Sequence, residues 1–163
     1  MPWQTEMTSL LRYVINDTDA TTREYTDERL QNLIVTSAQL TFGVVDFPRD
    51  YSISVANSGI TPDPTSGIRD NGFINLVLLR AACLLAQGDY RISTNKAIVI
   101  KDGPSAVDPR GMVAAKKELM DSACKNYEQA AFEFRLGNSN AGEAIIGPHR
   151  NAIYSRGGIS HLR

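Results

Sequence analysis

Two segments near the start of the chain repeat apolar residues every three or four positions, which is the spacing of one helix face. The first runs from Thr5 to Ile15. The second begins after Thr26, a residue type that caps helices, and has Asp27 and Glu28 in its first turn, where the helix dipole favours acids. Gly43 is expected to end it. The pattern therefore predicts two amphipathic helices joined by a short polar loop.

The apolar pattern then changes to a period of two. Tyr51, Ile53 and Val55 alternate with serines, which places them on one face of a strand. The run Asn57-Ser58-Gly59 supplies a turn, and the short apolar runs on either side are candidates to pair with the strand. We therefore expect a short β excursion at about 44–61, projecting from a helical body.

Two further helices are predicted downstream. Residues 73–86 are apolar almost all round, which is typical of a helix wrapped by its neighbours, and Gly88 is its expected C-cap. After a short β-branched run, 97–101, a long helix is predicted from about Arg110 to Leu136. Its expected buried stripe comprises Met112, Val113, Leu119, Met120, Ala123, Tyr127, Ala130, Ala131 and Phe134.

Together these elements predict a mainly α protein. The expected architecture is a small helical bundle around a buried central helix, with a short β excursion and an extended C-terminal tail. The domain organisation that follows is a helical bundle over residues 1–143 and a docking tail over residues 144–163.

The tail differs from the body in charge. Residues 1–143 contain 14 Lys or Arg and all 18 acids, a net charge of −4, whereas residues 144–163 carry +3. A few scattered apolar side chains cannot offset an ordering cost of about 1 to 2 kcal/mol per residue, so the tail is either disordered or ordered by another chain. Three arginines favour an acidic protein surface over nucleic acid as its partner.

The sequence offers few candidate catalytic residues. Both histidines, His149 and His161, lie in the tail, so the body has no residue whose ordinary pKa suits proton transfer at neutral pH. Ser160 beside His161 lacks the glycine pattern and strand-turn-helix context of a nucleophile elbow. We expect no catalytic residue, no cofactor and no metal site, and therefore no enzyme.

Two segments resemble ligand motifs. Asp17, Asp19, Thr21 and Glu28 fit positions of a calcium loop, but Thr22 stands where that loop needs glycine. We interpret this segment as a polar interhelical loop. The glycine-bearing segment 102–111 leads into a helix, but it lacks the Lys-Ser or Lys-Thr ending of a P-loop. We interpret it as a helix start, with Asp108 as the cap and Pro109 at the first helical position.

The cysteines and the chain start bear on location. Cys83 and Cys124 sit among apolar neighbours in predicted helices, so we expect reduced core thiols; a disulfide between them is the alternative. The first residues lack the pattern of a signal peptide, which predicts synthesis in the cytosol. The longest apolar run, 76–86, is broken by Arg80 and is too short to span a bilayer, so no membrane segment is expected.

Three segments resemble tailed-bacteriophage head-to-tail adaptor proteins, also called connector or head completion proteins. They are Tyr25-Thr26-Asp27-Glu28-Arg29-Leu30, Arg80-Ala81-Ala82-Cys83-Leu84-Leu85, and the run from Ile98 to Asp108 before a long helix. The order of elements is similar too, and the resemblance covers residues 8 to about 150. The chain departs from shorter members of that family by its β excursion and its long tail.

The resemblance implies a structural protein of the virion, located at the head-tail junction and made in the host bacterial cytoplasm. It implies self-association into a ring, twelvefold by resemblance, between the portal protein and the neck or tail proteins, with DNA passing through the lumen without being read. The tail would then carry the portal contact. The residues implied to contribute are Ile145, Ile146, His149, Arg150, Ile153, Tyr154, Arg156, Ile159 and Arg163.

Two other classes of function remain open from the sequence. One is a small ligand-binding or regulatory helical domain, in which the tail is a flexible end. The other is a nucleic-acid-binding protein that uses the arginines of the tail, which predicts a steep salt dependence of DNA binding.

Overall fold

A computed structural model describes residues 2–95, 100–102, 105–107 and 110–137, and for residues 100–102, 105–107 and 110 it describes the backbone alone. The mainly α fold is confirmed. The helices are α1 (Trp3–Ile15), α2 (Asp27–Phe42), α3 (Asn71–Asn95) and α4 (Arg110–Gly137). The strands are β1 (Ser52–Ser54), β2 (Gly59–Thr61), β3 (Ile100–Asp102) and β4 (Ser105–Val107), which form two antiparallel hairpins, β1–β2 and β3–β4.

Helix α1 begins two residues earlier than predicted, at Trp3. The reason is tertiary: the Trp3 amide donates to Asp63 Oδ2 at 3.1 Å, and the indole is buried in the core. Asn16 ends the helix in the left-handed conformation, with φ 60. Asparagine tolerates that conformation better than most residues.

Helix α2 begins as predicted. The Thr26 hydroxyl accepts a hydrogen bond from the Arg29 amide at 3.3 Å, which satisfies one of the free N–H groups of the first turn. The helix ends before Gly43. Leu30, Ile34 and Val35 are fully buried, and α2 packs against α1 and α3 through this face.

The β excursion is confirmed as the β1–β2 hairpin, with Ile53 paired to Ile60 and Ser58 at φ 46 in the turn. Two expectations about it are wrong. Residues 44–47 form no strand, because Val45 and Phe47 pack as side chains into a small core with α3 and α4. The hairpin also does not simply project: Ile60 is buried, and the Ser58 hydroxyl donates to the Asn32 side chain on α2.

Helix α3 is the central helix, and its buried residues come from most of its circumference. They are Phe73, Ile74, Leu76, Val77, Leu78, Ala81, Ala82, Cys83 and Leu85. Asp70 caps it, accepting from the Phe73 amide at 2.9 Å. The predicted end at Gly88 is wrong, since α3 continues to Asn95. A glycine inside a helix costs only about 1 kcal/mol relative to alanine, which packing against α4 readily offsets.

Tyr51 ties the β1–β2 hairpin to the start of α3. Its hydroxyl donates to Asp70 Oδ2 at 2.8 Å, and its ring stacks on Phe73 with the centroids 4.0 Å apart. Asp70 therefore binds both the first turn of α3 and the strand segment.

Helix α4 has the predicted bounds to within one residue, but its predicted stripe is only partly buried. Tyr127 and Ala131 are buried, whereas Met112 and Leu119 are 64% and 67% exposed. The other five residues of the stripe are half-buried. In the described part of the chain α4 packs mainly against α3, so it lacks the second neighbour that would cover the rest of the stripe.

The prediction of reduced cysteines is wrong for this structure. Cys83 on α3 and Cys124 on α4 form a disulfide, with their Cα atoms 4.6 Å apart. Both residues lie at facing positions of two adjacent helices, which is a pairing that spacing in the sequence cannot establish.

The expectation of no membrane segment depended on the short length of the run 76–86. The helix that contains this run, α3, has 25 residues and is long and apolar enough, by length and composition alone, to cross a bilayer. Half of the relevant window is buried inside the protein, as for a core helix.

The disulfide gives a testable prediction. It closes a loop of 41 residues, so Cys124→Ser should lower the free energy of unfolding by about 4 kcal/mol on the chain-entropy estimate. Chemical denaturation followed by circular dichroism measures the change. Ser122→Ala, on the exposed side of the same helix turn, is the matched control and should change little. Two free thiols in the unreduced, denatured wild-type protein would contradict the prediction.

Tyr51 gives a prediction for alkaline pH. Burial, and next the hydrogen bond to Asp70, raises its pKa to about 12. Below pH of about 10, the ordinary tyrosine pKa, neither the folded nor the unfolded state ionises there; between about 10 and 12 only the unfolded state does, so stability falls as pH rises. We expect Tyr51→Phe to lose less stability than wild type between pH 9 and 11, measured by denaturation at each pH. Equal losses would contradict this assignment.

Candidate interaction surface

The nine residues predicted to contact a portal, from Ile145 to Arg163, lie outside the described residues. The structure therefore neither places them nor brings them together. The same is true of both histidines and of Asp108 and Pro109. A candidate site has to be found in the described body of the protein.

A buried arginine organises the loop between α1 and α2. Arg12 is 5% exposed and its guanidinium contacts the carboxylate of Asp17, Asp27 Oδ1 at 2.6 Å and the Tyr25 carbonyl at 2.8 Å. Asp17 in turn accepts from the Glu24 amide at 3.0 Å. One charged side chain thus fixes the loop from Asp17 to Asp27.

These bonds account for the carboxylates that resemble a calcium loop. Asp17 is paired with Arg12, and Asp19 accepts from the amide and hydroxyl of Thr21 at 2.9 and 2.7 Å. The Thr21 hydroxyl, the larger contribution, and then its amide lower the pKa of Asp19. Within the described residues no group of three or more His, Cys, Asp or Glu has the arrangement of a metal site.

A cleft lies between the end of α1 and the middle of α4, with α3 as its floor. We call it the α1–α4 cleft; its volume is about 370 Å³. Its apolar lining residues are Val14, Ile15, Ala82, Leu85, Ala86, Leu119 and Ala123. Its polar lining residues are Asn16, Asp17, Thr22, Glu24, Tyr25 and Asp89. All its lining residues that carry a charge at neutral pH are carboxylates.

A second cavity of about 520 Å³ adjoins the cleft near the far end of α3. It shares Glu24, Tyr25 and Asp89 with the cleft, and adds Arg29 and Lys116 among other residues. The Arg29 guanidinium lies 4.8 Å from the centroid of the Tyr25 ring, a cation–π contact. Charges of both signs line this cavity, in contrast to the α1–α4 cleft.

Tyr25 and Asp89 form the boundary between the two cavities. The Tyr25 hydroxyl donates to Asp89 Oδ2 at 2.7 Å. Burial, followed by the bond to Asp89, raises the pKa of Tyr25 well above its ordinary value. Tyr25 is therefore a neutral hydrogen-bond donor at neutral pH and is unsuited to act as a base.

In the part of the chain that the structure describes, the residues lining the α1–α4 cleft include no histidine, cysteine or lysine. Its apolar walls and carboxylates suit the binding of an apolar segment that carries positive charge.

Helix α4 also exposes apolar side chains outside the cleft. Phe132 and Leu136 near its end are 57% and 58% exposed, and Met112 near its start is 64% exposed. Single exposed apolar residues are normal, but several on one helix that packs mainly against α3 indicate a surface suited to protein contact.

Sequence reasoning missed this cleft because its walls were assigned to the core. Val14 and Leu119 have the spacing of buried residues, and only the position of α4 relative to α1 leaves them 51% and 67% exposed. Asp89, an acid in the continuation of a strongly apolar helix, is the signal that marks one end of the cleft.

No family model matches this sequence, and neither a curated protein nor a solved structure matches it. Functional inference therefore depends on the residues and geometry described above.

The Arg12 network gives a prediction for stability. Arg12→Ala leaves Asp17 buried without its partner, and removing one member of a buried ion pair typically costs about 3 to 5 kcal/mol. Thermal and chemical denaturation measure the loss. Arg23→Ala, an exposed arginine in the same loop, should change stability by less than about 1 kcal/mol. Similar effects of the two substitutions would show that the network does not fix the loop.

Proposed function

We propose that this chain is a structural virion protein, a head-to-tail adaptor that forms a ring between the portal and the neck or tail proteins. The observation that carries the proposal is the composition of residues 144–163: apolar side chains and three arginines with no acid, following a body of net charge −4. Such a segment buries too little of its own surface to become ordered by itself, and in the proposed assembly a partner chain supplies that surface.

The resemblance to phage adaptors supports the proposal through the elements on which its segments fall. Residues 25–30 lead into and open α2, residues 80–85 lie in the central helix α3, and residues 98–108 precede α4. A small helical body with one buried central helix is the fold that this resemblance implies.

The proposed mechanism is coupled folding and docking. Apolar residues of the tail, such as Ile145 and Ile153, fill grooves between portal subunits, while Arg150 and Arg156 pair with portal carboxylates. Each copy binds weakly, and the ring binds tightly because the other attachments raise the effective concentration. DNA passes through the lumen without being read, and a body of net negative charge avoids trapping its phosphates.

Exposed apolar residues on α4 support contact between copies, which a ring requires. Phe132 and Leu136 are candidates for that contact. For the β1–β2 hairpin we propose contact with the neighbouring subunit or with the tail-side protein, since Val55 beside its turn is 51% exposed.

A second candidate is a ligand-binding or regulatory helical domain. The observation that favours it is the cavity of about 520 Å³ beside Tyr25 and Asp89, which is of a size that small-molecule sites use. This function requires a monomer that binds without a portal. Light scattering of the protein alone and mixed with the portal from the same genome separates the two, because only an adaptor gives ring-sized species in the mixture.

Deletion of residues 144–163 tests the role of the tail. The shortened protein should keep the helical circular dichroism signal of the wild type, because the four helices lie outside the deleted segment, and it should no longer co-purify with the portal. Ile68→Ser, at a residue 83% exposed and outside the proposed contact surfaces, is the control for effects of a change elsewhere on the body. Undiminished portal binding after the deletion would refute the tail assignment.

A further inference from the structure

We propose that, in the free protein, residues 144–150 of the tail occupy the α1–α4 cleft of the same molecule. The proposal goes beyond the adaptor function, because it concerns the protein before it meets any partner. It assigns an occupant to a cleft whose floor is α3 and whose walls are α1 and α4.

The reach of the chain supports this occupant. The Phe134 ring lies against Gly72, so α4 ends beside the start of α3. Helix α4 continues three residues beyond Phe134 to Gly137, so Ala82 to Ala86, the floor of the cleft, lies about 20 to 25 Å back along α3 at about 1.5 Å per residue. The chain from Gly137 to Ala144 spans about 23 Å when extended, at about 3.3 Å per residue, which brings Ala144 to the Ala82 end of the cleft floor.

The order of residues in the tail matches the order of the cleft lining. Measured from the end where the tail enters, the floor is apolar at Ala82, Leu85 and Ala86, and it becomes acidic at Asp89. The tail presents Ile145 and Ile146 first and Arg150 afterwards. The isoleucines then meet the apolar floor, and the arginine meets Asp89 and Glu24.

Charge also favours this occupant. Among the described residues, no lysine or arginine lines the α1–α4 cleft, and its carboxylates Glu24 and Asp89 face a segment that has no acid. Arg29 and Lys116 share the neighbouring cavity with both Glu24 and Asp89, so Arg150 reaches these carboxylates from the cleft side, which has no cation among the described residues.

Tethering favours the same molecule over a second copy. A segment joined by a short linker experiences an effective concentration in the millimolar range, above that of a free neighbour in dilute solution. Docking within one molecule therefore needs only weak contacts.

Amide hydrogen exchange of the full-length protein tests the proposal. Residues 144–150 should exchange more slowly than residues 156–163, and Leu119→Gln should remove about tenfold or more of that protection, because burying a leucine side chain is worth at least that factor. Ala86→Phe, which fills the cleft while staying apolar, should have the same effect. Ile68→Gln, at a residue 83% exposed and outside the cleft lining, should have none.

Arg150→Gln and Arg156→Gln form a matched pair, since each removes one arginine from the tail and only Arg150 belongs to the docked segment. Arg150→Gln alone should reduce the protection. Uniform exchange across the wild-type tail would overturn the proposal. Protection that disappears on dilution would overturn it too, because the occupant would then belong to a neighbouring copy. The experiment contains no portal, so its failure leaves the adaptor function to be judged by portal binding.

Discussion

The burial of helix α3 is the constraint on which the rest of the structure depends. Phe73, Val77 and Ala81 are fully buried, and α1, α2 and α4 all pack on this one helix. A helix that is apolar on most of its circumference has to be covered on several sides. Helices α1, α2 and α4 and the segment around Tyr51 provide this cover, and each turns apolar side chains toward α3.

Helix α3 is covered unequally by its neighbours, and the α1–α4 cleft lies on the less covered side. On the α1 and α2 side, a continuous core joins Met7, Leu30 and Phe73. On the other side α4 is held by a smaller core around Leu76 and Tyr127, and by the disulfide from Cys83 to Cys124. The gap between α1 and α4 is the α1–α4 cleft.

The sequence predicted the elements whose signals are local. The Thr26 cap, the apolar run within α3 and the bounds of α4 depend on neighbouring residues in the chain, and the structure confirms them. Features that depend on distant residues were predicted wrongly. Helix α3 continues through Gly88, Cys83 and Cys124 form the disulfide that was only the alternative, and Leu119 is exposed. Periodicity identifies a helix face, but it does not tell whether a second helix covers that face. The predicted portal residues remain predictions, because they lie outside the described chain.

The Arg12 network has a consequence for the wall of the α1–α4 cleft. Its guanidinium holds the Tyr25 carbonyl, and Asp17, its ion-pair partner, holds the Glu24 amide. Glu24 and Tyr25, which line the α1–α4 cleft, are thereby held in place by buried residues. Moving these two residues apart from the bundle would break the buried Arg12–Asp17 ion pair, which is energetically costly. The wall of the α1–α4 cleft that Glu24 and Tyr25 form is therefore set by the fold before any segment binds there.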